Sequence, residues 1–189
     1  KFVARKSMSV ENLAWDNLML WDGRANSIEE QVEEALGAPE GMSNNFPELV
    51  IKIHGIKAYR DLFKTAFVDE DAKYAENDFV NMESIKAAIA TFERNIVSGE
   101  APFDRWISGD ENAISESAKR GFLLFNSKAK CSTCHTGWRF SDGNYYNIGI
   151  KEKEGKVDLG RASTAPKDIS LYFKFKAVGL RNIAERAPY

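Results

Sequence analysis

A chain of 189 residues with 43% hydrophobic and 29% charged residues has an ordinary globular composition, long enough for one sizeable core or two small ones. Its 26 Lys and Arg against 28 Asp and Glu give a formal charge of -2, with the basic residues scattered, which argues against a polyanion-binding surface and a nucleic-acid partner. The longest apolar runs are a few residues, far short of the roughly 20 that span a bilayer.

The chain opens Lys1-Phe2-Val3-Ala4-Arg5, with no initiator Met and no signal-peptide pattern, so a processed, truncated or incompletely recorded start is expected. Ser27-Ile28-Glu29-Glu30 has the form of a capping box, and Val32, Ala35 and Leu36 follow at helical spacing before Gly37. That predicts a helix over Ile28 to Leu36. Phe46-Pro47-Glu48-Leu49-Val50 opens a second helix with Pro in its first turn, closing at His54-Gly55, and Lys57 to Phe67 reads as a third. His54, at a helix end, suits a surface or capping role. Asn81 precedes Met82 to Val97, where Ile85, Ile89, Phe92 and Ile96 define the clearest amphipathic helix. Pro102 to Ile107 suggests a short helical turn, and Ser115 to Asn126 a further helix offering Phe122, Leu123 and Phe125 to a cofactor.

Next comes Cys131-Ser132-Thr133-Cys134-His135, holding both cysteines and one of the two histidines. Cys-x-x-Cys-His reads as a c-type haem attachment site: two thiols can add to the two vinyl groups, and the adjoining His can ligate the iron. Two other readings compete. A structural zinc site needs four ligands, for which Cys131, Cys134, His135 and His54 are the candidates. A redox dithiol would expect a preceding strand rather than a helix. From Phe140 to Pro166, Gly143, Gly149, Gly155 and Gly160 among polar neighbours predict a long loop, interrupted at most by short strands. The fold class is therefore mainly α, without internal repeats.

Several segments together resemble the bacterial dihaem cytochrome c peroxidase family, which includes the MauG-type enzymes. They are Trp21-Asp22-Gly23-Arg24-Ala25 with Glu29-Glu30-Gln31; Ala90-Thr91-Phe92-Glu93-Arg94; Phe103-Asp104-Arg105-Trp106; Gly121 to Phe125 running into the haem motif and Phe140-Ser141-Asp142-Gly143; and Phe175 with Gly179-Leu180-Arg181-Asn182 to Ala187-Pro188-Tyr189. The resemblance implies cytochrome c-like helical domains in a two-domain architecture whose N-terminal haem segment is absent from this chain. Residues 1–108 would be the remainder of the first, peroxidatic domain with interdomain helices, and 109–189 the second, electron-transfer haem domain, cut short at its C-terminus. Lys1 and Tyr189 are thus expected to be artificial limits of a longer protein.

The resemblance also implies function. It points to a periplasmic or otherwise exported oxidoreductase that reduces hydrogen peroxide with electrons from a small cytochrome c or cupredoxin, with two haems in the full protein and one haem c here. Cys131, Cys134 and His135 would hold the electron-transfer haem, with His135 its iron ligand and Met or Tyr on the far side from beyond this sequence. Tyr145, Tyr146 and Tyr172 do not match that position and read as packing or loop tyrosines. Trp21 matches the tryptophan between the haems, whereas Trp15, Trp106 and Trp138 read as packing. Arg181 would pair with a haem propionate or form a plain salt bridge.

Two departures stand out. The family's peroxide-handling Glu falls on Gly41, leaving Glu40 one place earlier as the candidate proton-moving carboxylate. Where the family has an Arg-Asn pair near its calcium ion, this chain has Arg5-Lys6; lysine offers no acceptor, so no calcium is expected there. Val178 also replaces the family's usual Pro. Two alternatives stay open: MauG-type oxidation of a partner protein's aromatic residues, and a non-enzymatic electron-transfer subunit. A homodimer or larger assembly is undecided.

Overall fold

The computed structural model describes residues 5–149 and 157–187. The chain divides into two compact units, Lys1–Ile96 and Val97–Tyr189. The sequence reading divides it at 108; in the structure Pro102–Ile107 belongs to the second unit, because Phe103 and Trp106 pack edge-on against Phe122.

In the first unit, α1 (Ile28–Gly37) starts where Ser27 Oγ accepts the Glu30 N–H at 3.1 Å. The expected return bond lands one residue earlier. Glu30 takes the Asn26 backbone N–H at 2.8 Å and the Asn26 side-chain amide at 3.0 Å, so two residues share the cap. Next come α2 (Phe46–His54), capped by Asn45 with Pro47 in its first turn, and α3 (Lys57–Phe67). They pack on each other and bury no residue. His54 ends α2, with Nε2 3.3 Å from an Asp78 carboxylate oxygen.

Helix α4 (Met82–Arg94) begins with a reciprocal cap: Asn81 Oδ1 accepts from Ser84 N at 3.0 Å and Ser84 Oγ from Asn81 N at 3.1 Å. It ends three residues before the predicted Val97, where Asn95 and Ile96 N–H groups turn to the Phe92 and Glu93 carbonyls and the Ile96 carbonyl accepts from Asn12. Helices α1 and α4 pack around Leu13, Met19, Ala25, Ile28, Val32 and Ala90, and the ion pairs Arg94–Glu29 (2.7 Å) and Lys86–Glu33 (2.8 Å) join them. Phe92, expected on the apolar face, is instead 69% exposed. Trp21 to Arg24 form the tip of a tight loop closed by the Met19 N–H to Ala25 carbonyl bond at 2.8 Å, with Asp22 buried beneath Arg5 (2.7 Å) and Arg24 (3.1 Å).

The second unit holds α5 (Pro102–Ile107) and α6 (Glu116–Asn126), the latter capped by Ser115. The predicted loop carries one short strand, β1 (Tyr145–Tyr146), paired antiparallel with β2 (Phe175–Lys176). Gly155 of that loop lies outside the described residues. No described helix is long and apolar enough to cross a membrane.

Candidate haem site

After α6 the chain turns on itself. Ala129 N–H reaches back to the Leu124 carbonyl at 3.0 Å, and Lys130 adopts a left-handed conformation (φ 56°) that sends the backbone into a 3-10 turn, Cys131–Thr133. Bonds from Cys134 N (3.3 Å) and His135 N (3.0 Å) to the Cys131 carbonyl close it. One turn thereby presents both thiols and the imidazole. Neither cysteine is in a disulfide, and both are half-buried.

The imidazole is oriented by backbone. His135 Nδ1 lies 3.0 Å from the Phe140 carbonyl. A carbonyl only accepts, so Nδ1 carries the proton and the Nε2 lone pair is left for a metal. The loop that brings this carbonyl round is tied at 2.8 Å from Ser141 N to the Thr136 carbonyl and at 3.0 Å from Asp142 N to the Cys134 carbonyl. Phe140 itself has φ 54°.

His135 faces a cleft of about 370 Å³ whose walls include Phe103, Ile107, Phe122, Phe125, Trp138 and Phe140. Phe103 meets Phe122 at 5.0 Å and Phe140 at 5.2 Å between ring centroids, both edge-on. Among the described residues, the buried apolar side chains of this unit are Ala162 and Ala177. Phe103, Trp106, Phe122, Phe125 and Phe140 are only half-buried. A flat apolar group laid on them would supply the buried surface that the polypeptide lacks, so thiols, imidazole and lining fit a covalently held haem. Leu123, expected among the lining, is 67% exposed. No three described His, Cys, Asp or Glu side chains gather into a metal cluster, so a four-ligand zinc site has no donor set among them.

Arg181 lines the same cleft and is held by protein oxygens. Its guanidinium donates to both Asp104 carboxylate oxygens, at 2.6 and 2.7 Å, and its Nε to the Trp138 carbonyl at 2.7 Å. The Arg181 bonds hold the Asp104 carboxyl below the usual carboxylate range. The sequence reading quotes Asp104, Phe140 and Asp142 within motifs without giving them a site role, and reads Tyr146 as a packing or loop tyrosine. Tyr146 donates its hydroxyl to Asp142, which pushes the phenol up to about 12. Burial raises the Asp142 pKa, but the bonds from Tyr146 and Asn144 outweigh it and the carboxyl ends below its ordinary value. Tyr172 donates to the Pro166 carbonyl and the Tyr145 ring lies 4.4 Å from the Arg161 guanidinium.

The remaining candidates belong to the first unit. Trp21 donates its indole N–H to the Lys6 carbonyl at 2.7 Å. Glu40 is exposed in the turn that follows α1. At Gly41 an added Cβ would sit 2.7 Å from the Ala35 carbonyl oxygen. Glu93 on α4 buries one carboxylate oxygen without a hydrogen-bond partner, and burial pushes its pKa up against the lowering effect of Arg94.

The family model described as di-haem cytochrome c peroxidase matches residues 1–112. The chain is 41% identical over 186 residues to the methylamine utilization protein MauG of Methylorubrum extorquens, covering 98% of this chain and 50% of that protein. It is 31% identical over 191 residues to the cytochrome c551 peroxidase of Pseudomonas aeruginosa, covering 98% and 53%. Among solved structures, a MauG-like protein associated with microbial copper homeostasis superimposes with a TM-score of 0.83 at 27% identity, over 99% of this chain and 58% of that one. The chain thus spans about half the length of the curated relatives it matches.

Proposed function

Because the chain belongs to the di-haem cytochrome c peroxidase family, we propose that Cys131, Cys134 and His135 hold a haem c through which an exported enzyme takes up electrons to reduce hydrogen peroxide. One observation carries the reading: two unbridged thiols and an imidazole with its Nε2 left open meet on a single turn beside an aromatic cleft. Bound there, haem supplies one-electron redox chemistry. The residues do the rest. Cys131 and Cys134 tether, His135 Nε2 ligates, the Phe140 carbonyl fixes the tautomer, and the aromatic walls keep water from the ring.

Reduction of peroxide to two waters consumes two electrons and two protons. A small cytochrome c or cupredoxin would supply the electrons singly, Trp21 would carry them onward, and Glu40, one place before the family's proton-moving position, would move the protons. The roles given above to residues 1–108 and 109–189 would fall to the first and second units, with Pro102–Ile107 counted in the second. The test has two parts on the full-length protein. Intact mass under denaturing conditions counts covalent haems, and stopped-flow absorbance follows peroxide-dependent oxidation of a reduced small cytochrome c. Two haems and rapid oxidation are expected; inertness towards every small donor would overturn the reading, and electron transfer from a donor without peroxide reactivity would select the electron-transfer subunit.

A second reading, oxidation of a partner protein's aromatic residues, is favoured by the higher identity to MauG and by Gly41, where the Ala35 carbonyl leaves no room for a side chain. The far-side ligand of the His135 haem separates the two: Tyr selects protein oxidation and Met the peroxidase.

A further inference from the structure

We propose that Arg181 and Asp104 form a positioning clamp for the axial imidazole, acting through the loop Gly137–Phe140; the proposal rests on the haem reading above. The orientation of His135 depends on one acceptor, the Phe140 carbonyl at 3.0 Å. That carbonyl points inward because Phe140 occupies a left-handed conformation, φ 54°, which a bulky L-residue adopts only when its surroundings over-determine it. The surroundings that do so converge on Arg181. Its Nε holds the Trp138 carbonyl at 2.7 Å and its guanidinium lies over the Phe140 ring, 5.5 Å from the centroid. One residue earlier, Leu180 N–H donates to the Arg139 carbonyl at 3.2 Å.

Arg181 is in turn fixed from its far edge. Asp104 grips it through two parallel bonds, and the same carboxylate accepts the Ala101 N–H at 2.7 Å at the start of α5. The Arg181 side chain is only 11% exposed. Three of its five N–H groups point to Trp138 and Asp104 oxygens, which makes it a rigid strut between α5 and the loop rather than a mobile partner for a carboxylate on the cofactor. A hydrogen bond from Nδ1–H to a fixed carbonyl raises the basicity of Nε2 and favours the ferric state. Loosening the loop weakens that bond and raises the haem's reduction potential.

The experiment is spectroelectrochemical titration of the His135 haem in the full-length holoprotein, for the parent, Asp104→Asn, Arg181→Lys and the double variant. Ser115→Ala, which removes the α6 cap outside the clamp, serves as a stability control. Both single variants are expected to shift the potential upward, the double no further than the larger single, while Ser115→Ala lowers stability and leaves the potential in place. Asp104→Glu, which keeps the carboxylate, is expected to retain most of the parent's potential. If Asp104→Asn does not accumulate folded, Gly179→Ala reports through the same loop, since its methyl would press on the Arg139 carbonyl at 3.1 Å. Unmoved potentials alongside reduced stability would overturn the clamp. So would a shift in Arg181→Lys without one in Asp104→Asn, which would mark a direct contact of Arg181 with the haem. A parent without covalent haem overturns the haem reading itself, whereas a haem-bearing parent whose potential ignores both substitutions overturns the clamp alone.

Discussion

Tyr146 shows how much of this site lies in single hydrogen bonds. Its hydroxyl proton is held against the Asp142 carboxylate, so its pKa moves from an ordinary value near 10 to about 12. The folded-state value is the higher one, so the bond's contribution is complete below the unfolded-state pKa, about 10. It is lost as pH rises through the folded value. Alkaline ultraviolet titration of the parent should show a phenol ionising near 12 that Tyr146→Phe lacks; superimposable curves would dismiss the bond. Legibility at this scale follows chain distance. Cys131, Cys134 and His135 are contiguous and readable by eye, whereas Asp104 and Arg181 lie 77 positions apart. The Phe140 acceptor is a backbone carbonyl, so no side chain announces it. At Gly41 the resemblance to the family marks the departure, but only the Ala35 carbonyl at 2.7 Å supplies its physical reason.

At the scale of the element, local chemistry explains why the helices were readable. The predicted bounds Lys57–Phe67 and Pro102–Ile107 coincide with α3 and α5, and Ser115 and Asn81 cap the helices they precede. These signals sit within four residues of the bonds they make. Asn81 is the clearest case, since its side chain takes the Ser84 N–H while its amide group reaches the Tyr74 carbonyl at 3.1 Å. Asn81→Ala should cost about 1 kcal/mol, read as a lower urea midpoint for the first unit. No change in midpoint would mean that water replaces the cap without loss. The end of α4 and the outward Phe92 were less legible, because tertiary partners decide them: the Ile96 carbonyl accepts from Asn12, far back in the sequence.

For the whole molecule, the contrast is between two kinds of core. The first unit has a polypeptide core around Leu13, Ile28 and Val32; the second, among its described residues, buries no large apolar side chain. Removing the tether should therefore act on one unit. In Cys131→Ala/Cys134→Ala, amide hydrogen exchange of residues 103–140 should lose protection while α1 and α4 retain theirs. Equal protection in both proteins would show that the aromatic cluster closes without a cofactor.

The turn Cys131–Thr133 also dictates an order of assembly. Its closing bonds join residues no more than four apart, so it can form on a nascent chain within the first microseconds of helix and turn formation. The cleft walls come from Phe103 through Phe140 and Arg181, and gathering them costs the closure of far longer loops. A tetrapyrrole fastened early to the short turn by Cys131 and Cys134 would give those distant segments a surface on which to condense, so attachment would precede burial.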